Sequence, residues 1–254
     1  MDFSRSARAY VSNFPTALAF ALLLVFVLPL SWLSNAFVSS GTVLIGYGFL
    51  KAPPLESLLL LGVSLAFLFF YSILVSVMVL SVRRDLGPVK TNYYLREKVQ
   101  KFGLKYFKFL AAFTIVAAVA SSLLLDSGVP LVFVNAAMFL VSALFLFLPQ
   151  AIVVDEEGLG ASVLSCLDFT FKNFGAFLLV MASGILALFA LQAIEFLVDY
   201  FLLAGSHLSL LVALIVLVPF FEALKTQIYM ERFSLIRGYE ALASRRDRPV
   251  GIPR

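Results

Sequence analysis

Gln192, Glu195 and Asp199 stand in an apolar stretch between residues 174 and 203, at spacing i, i+3, i+7. On a helix that spacing puts all three on one face. Ionisable groups inside a membrane helix are costly and mark proton or cation paths, so this face is a candidate intramembrane site. Depth sets the competing reading. Starting from Phe174, about 20 residues at 1.5 Å each reach the far boundary of a hydrocarbon core near Ala193. By that depth Glu195 and Asp199 lie just outside the core, and the solvated outer end is the favoured reading. Glu222 is the fourth candidate. It follows Pro219 in a second apolar stretch, and Lys225 at i+3 can pair with it while its stem snorkels toward water.

Other chemistry has little support. Cys166 and His207 are the only residues of their types and fall on opposite sides of the expected membrane. Neither a metal site nor a nucleophile–base pair is expected from them. "GLGAS" at 158–162 lacks the lysine of a phosphate loop and reads as a turn. "GTVLIGYG" at 41–48 resembles a potassium filter only loosely. It has two extra residues between Val43 and Gly46, in a loop too short for a pore helix. The expectation is a protein without catalytic residues, metal or cofactor.

These residues need elements to position them, and composition says which. The 254 residues are 62% hydrophobic and 13% charged, far from the balance of a soluble domain. Lipid must be the solvent for much of the surface. Six stretches are long enough to span it, near 14–38, 55–82, 107–125, 129–154, 174–203 and 207–230, with a tail at 233–254. Backbone groups in lipid must be satisfied internally, and no alternating barrel pattern appears, so the spans are helices. Pro29 and Pro219 fall inside spans and are expected to kink them.

Charge sets the orientation. Eighteen of the nineteen Lys and Arg fall on one side of this arrangement, and only Lys51 falls on the other. The positive-inside rule then puts both termini in the cytoplasm, and the expected location is the cell membrane. Residues 1–36 read as a first span rather than a cleaved signal peptide, because the apolar run exceeds the usual signal length.

Three further segments carry helical periodicity at the cytoplasmic boundary. In 160–174, Val163, Leu164, Leu167, Phe171 and Phe174 share a face, with Ser162, Ser165, Asp168 and Lys172 largely opposite and Phe169 an exception. Cys166 flanks that apolar stripe and is expected at the interface. In 92–109, Leu95, Val99, Phe102, Tyr106 and Phe109 line one side, and Arg96, Lys98, Lys101, Lys105 and Lys108 cover much of the rest. In 2–14, Phe3, Ala7, Tyr10, Val11 and Phe14 face away from Ser4, Arg5, Arg8 and Ser12. Each reads as an amphipathic interfacial helix. The fold expected is all-α: a polytopic membrane protein of three hairpins, each preceded by a cytoplasmic interfacial helix.

The basic segment at 92–109 determines topology and is a candidate contact for anionic lipid through Arg96, Lys98, Lys101, Lys105 and Lys108. Nucleic acid is not an expected partner, since this face is held at the membrane and carries no binding module. Two functional classes lead. One is a non-enzymatic protein organising lipid or a partner membrane protein at the cytoplasmic face. The other is a transporter using the Glu195 face.

"FLPQAIVVDEEGLGASVLSCLDFTFKNFGAFL" resembles the signature of an archaeal family of uncharacterised six-span membrane proteins. That family shows an apolar run ending in Ala-Ile-Val-Val, an acid pair, a serine-containing amphipathic helix and a basic-Asn step before a span. "RSARAYVSNFPTALAF" resembles the family's start. The chain departs from the pattern at Ser165-Cys166, where a basic-Ser pair is usual. In layout the chain is similar, more distantly, to the membrane domain of bacterial glycerophosphodiester phosphodiesterases. The resemblance implies a six-span layout and no catalytic residues.

Overall fold

The computed structural model describes residues 3–32, 36–39, 42–45, 53–87, 95–202 and 204–232. The tail at 233–254 and residues 41 and 46–48 of "GTVLIGYG" lie outside the described residues. Among the described residues eleven α-helices follow in order: α1 (Phe3–Ser12), α2 (Phe14–Leu18), α3 (Leu24–Trp32), α4 (Pro54–Leu86), α5 (Leu95–Asp126), α6 (Leu131–Leu144), α7 (Leu148–Val154), α8 (Leu159–Lys172), α9 (Phe174–Leu202), α10 (Gly205–Val212) and α11 (Val218–Arg232). A 3-10 turn at Ala19–Leu23 joins α2 to α3, and a π turn at Ala213–Leu217 joins α10 to α11. The architecture is all-α. One short antiparallel hairpin, β1 (Ala36–Ser39) with β2 (Thr42–Ile45), follows α3.

Five helical segments are long and apolar enough to cross a membrane: Leu55–Leu86, Glu97–Asp126, Leu131–Val154, Phe174–Leu202 and Gly205–Glu231. The pair Ser4–Ser12 and Phe14–Leu30, bent by 73°, makes a sixth if counted as one span. The first span therefore ends near Trp32, short of the expected residue 38, and Ala36–Val38 belong to a strand.

The bend between α1 and α2 has a local cause, and it recurs between α8 and α9. Asn13 leaves the helical region at φ −107°, ψ 20°, and Asn173 does the same at φ −119°, ψ 40°. Each asparagine turns its side chain back on the carbonyl four residues earlier. Asn13 Nδ2 donates to Ala9 O at 2.8 Å, and Asn173 Nδ2 to Phe169 O at 3.0 Å. Each Asn carbonyl then accepts the N–H groups of the third and fourth residues of the next helix, Thr16 and Ala17 or Ala176 and Phe177. A side chain that competes for helical carbonyls ends one helix and starts another.

The middle unit lacks this device, and the expectation fails there. No separate interfacial helix covers 92–109; α5 runs unbroken for 32 residues from Leu95 through the span. "FGLKYFKF" contains neither asparagine nor proline, so nothing stops the helix. The apolar stripe of Val99, Phe102, Tyr106 and Phe109 packs into the protein core. Gly103 permits close approach, since a Cβ there would meet Ile73 at 3.1 Å.

The fourth span, expected near 129–154, is Leu131–Val154, with a turn at Phe145–Phe147 between α6 and α7. The core lies at one end of the bundle. It is built from the C-terminal halves of α4 and α11 and all of α7, with Met78, Val79, Val82, Leu148, Ile152, Leu224 and Tyr229 fully or nearly fully buried. This is the end at which α1, the start of α5 and α8 gather, called here the basic end. Toward the other end the helices expose Leu58, Val116, Leu123, Phe133, Leu186, Phe189 and Phe196, a surface suited to lipid.

Candidate functional site

The buried polar site starts from a proline. Pro149 has no N–H, and its ring excludes an ordinary helical turn before it. The chain tightens through i→i−3 bonds: Phe145 N to Ser142 O, Leu146 N to Ala143 O and Leu148 N to Phe145 O. The carbonyls of Leu144 and Leu146 are thereby freed from the helical ladder. Side chains from later helices take them up. Cys166 Sγ and Thr170 Oγ1 lie 3.6 and 3.5 Å from Leu144 O, and Lys225 Nζ donates to Leu146 O at 3.2 Å.

Lys225 also pairs with Glu222 Oε1 at 2.7 Å. The pairing expected at i+3 is there, but the snorkelling is not. Lys225 is only 6% exposed, and its ammonium turns inward to the Leu146 carbonyl. Gln150 Nε2 donates to the other carboxylate oxygen at 2.9 Å. Thr226, also buried, donates to Glu222 O. Gln150 Oε1 is buried and has no hydrogen-bond partner among the described residues. Tyr71 from α4 and Tyr106 from α5 lie within electrostatic reach of Glu222. Pro219 shapes the approach to the site from the same helix. The carbonyl it cannot satisfy, Ile215 O, accepts the Tyr10 hydroxyl at 3.1 Å, within the π turn.

Gln192, Glu195 and Asp199 form a different cluster. Glu195 is buried and accepts from Ser209 Oγ at 3.2 Å, so it is not a solvated end. Asp199 Oδ1 accepts from Gly205 N at 2.6 Å, and Gln192 lies on the exposed side of α9. These contacts hold α9 against α10 at a turn so tight that a Cβ on Gly205 would fall 2.3 Å from Glu195 O. Ser209 and Glu222 are thirteen residues apart on one span, roughly 20 Å along its axis. The four candidates therefore divide into two sites.

The basic residues divide as well. Lys98 Nζ pairs with Glu156 at 2.8 Å, and Lys105 Nζ donates to Glu157 O at 2.6 Å while lying over the Phe102 ring. Lys101 and Lys108 are exposed, and the side chain of Arg96 lies outside the described residues. Glu156 also takes Arg83, at 2.8 Å, from a left-handed backbone at φ 58°. Burial works against the ionised Glu156, but hydrogen bonds from Lys98 and Arg83 hold its carboxyl below the usual range. Asp155 accepts the Tyr229 hydroxyl, and burial raises its carboxyl. The loop after α7 is thus stapled to α4, α5 and α11.

Sequence reasoning missed Gln150, Tyr71 and Tyr106. Gln150 carried a signal, as a lone amide beside a proline in the apolar run "FLFLPQAIVV". Cys166 is a correction: it is fully buried on the face of α8 turned to the protein, together with Ser162, Phe169 and Thr170. The expectation sorted α8 into an apolar and a polar face and did not foresee a face buried by the protein itself. Burial pushes the thiol up to about 11. Since the thiolate is the reactive form, maleimide should label folded protein slower than unfolded protein by on the order of a hundredfold at equal pH. Equal rates in folded and SDS-unfolded samples would contradict the burial of Cys166.

No family model matches this chain, and neither curated proteins nor solved structures show a similar one.

Proposed function

We propose that the chain is a non-enzymatic membrane protein that organises lipid, or a partner membrane protein, at the cytoplasmic face of the cell membrane. The observation that carries this reading is a shared design in α1 and α8. Each helix has three faces. On α8, Ser162, Cys166, Phe169 and Thr170 meet the protein, Leu164 and Phe171 are exposed, and Asp168 and Lys172 form an exposed polar side. On α1, Ser6 and Ala9 meet the protein, as does Asn13 just past its end; Ala7 and Val11 are exposed, and Arg5, Arg8 and Ser12 form the polar side. Turning about each axis in the same sense, the order is protein, apolar, polar. Such a helix suits the boundary between head groups and acyl chains, docked to its own protein on the third side. Exposed Arg5, Arg8, Lys101 and Lys108 sit at the same end, where anionic head groups would meet them. Transport through Glu195 is the weaker reading, because Glu195 and Asp199 are engaged in joining α9 to α10.

Nitroxide labels at Leu164→Cys and Asp168→Cys, in a Cys166→Ser background reconstituted into anionic vesicles, test the placement. Residue 164 should relax with oxygen and residue 168 with a polar nickel complex. Shielding of residue 164 from both reagents would mean that protein covers it, and the interfacial reading would fall.

A further inference from the structure

We infer that α6 is the surface through which two copies of this chain associate in the membrane, joined at Asn135. The inference names the partner left open above, and its depth argument rests on the interfacial placement of α8.

Only Val134 and Ala143 of α6 are buried, and the helix packs on α5 and α8. Its apolar exposure alone needs nothing but lipid. Asn135 needs more. Its side chain is exposed and makes no hydrogen bond among the described residues. It does not turn back on a carbonyl of its own helix, as Asn13 and Asn173 do. Ser142, seven residues on and on the same face, is satisfied within α6, donating to Phe139 O at 2.8 Å.

Depth makes the free amide costly. α8 lies beside the inner end of α6, where Cys166 Sγ and Thr170 Oγ1 are 3.6 and 3.5 Å from Leu144 O. With α8 at the head-group boundary, Leu144 marks the inner edge of the hydrocarbon. Asn135 stands nine residues further along α6, about 13 Å deeper at 1.5 Å per residue. That is close to the middle of a core about 30 Å thick. Lipid tails there offer an amide no hydrogen bond.

A second copy does offer one. A carboxamide carries donor and acceptor together, so it is its own complement. A twofold axis sets the same surface of each copy against itself. Copies that share one membrane topology run their α6 helices parallel about an axis normal to the bilayer. Leu131, Asn135, Met138 and Ser142 follow at intervals of four, three and four residues, the seam of a left-handed helix pair. One asparagine on such a seam fixes its register and oligomeric state.

Photobleaching counts on the full chain, carrying a fluorophore after residue 254, in liposomes of falling protein-to-lipid ratio test this. Wild type should be dimeric when dense and dissociate on dilution. Asn135→Leu should weaken association about threefold to thirtyfold, the range of one hydrogen bond between membrane helices, and Asn135→Gln should keep most of the affinity. In a Cys166→Ser background with Asn135 intact, copper–phenanthroline should link Leu131→Cys into a dimer and leave Phe133→Cys, on the opposite side of α6, unlinked. A chain that is monomeric at every density overturns the inference, as does association unchanged by Asn135→Leu. Equal cross-linking at residues 131 and 133 overturns it even if the Asn135 variants fail to fold. An oxygen-exposed label at residue 164 together with a monomeric chain overturns this inference alone and leaves the interfacial reading standing.

Discussion

Lys225→Met is expected to lower stability by about 3–5 kcal/mol, the range found when one partner of a buried ion pair is removed. The size follows from what is left behind. Glu222 is 3% exposed, and with Lys225 gone its carboxylate keeps only the Gln150 amide. The Leu146 carbonyl, already outside the helical ladder, loses its donor as well. The double variant Glu222→Gln/Lys225→Met removes the stranded charge and should recover most of the loss, since neutral replacements of whole buried pairs are often close to neutral. Steric trapping or SDS titration of all three proteins would measure this. A loss below about 1 kcal/mol for Lys225→Met would mean that water reaches the pair freely, as at exposed ion pairs.

The second large effect is expected at Phe169. Its ring lies 4.8 Å from Phe147 and 4.5 Å from Tyr229, centroid to centroid, and the residue is buried. It fills the space between α7, α8 and α11. Phe169→Ala should cost about 3–5 kcal/mol through lost contact and the cavity left behind. Phe171, two residues on, is 65% exposed and supplies the control. Phe171→Ala in the same detergent should change stability by less than about 0.5 kcal/mol. Equal effects at the two positions would show that α8 does not dock as described, because both residues would then meet the same surroundings. Gly175, in the joint beyond α8, meets nothing within 4 Å where a Cβ would lie, so crowding there does not hold α8 in place.

Much of the molecule was legible in the sequence. Apolar length alone specifies helices that cross a membrane, because lipid leaves the backbone no other way to satisfy its hydrogen bonds. The pairing of Glu222 with Lys225 follows from helical spacing. All of these depend on residues within a turn or two of one another, where one-dimensional spacing and three-dimensional distance agree.

What the sequence left open depends on partners far along the chain. Helical periodicity sorts residues into apolar and polar, so Phe169 looked like an exception and Cys166 like an interfacial residue. Only docking against α7 and α11 creates the third face that buries both. The same periodicity in 92–109 signals an apolar face without saying whether lipid or protein will cover it, and α4 covers it. Gln150 meets Glu222 across 72 positions, and Lys225 meets Leu146 across 79. Those contacts exist because Pro149 breaks one span at the depth where another carries its charges. The sequence determined the proline and the charges; their common depth was decided by how the helices pack, which sets the axial position of one span against another.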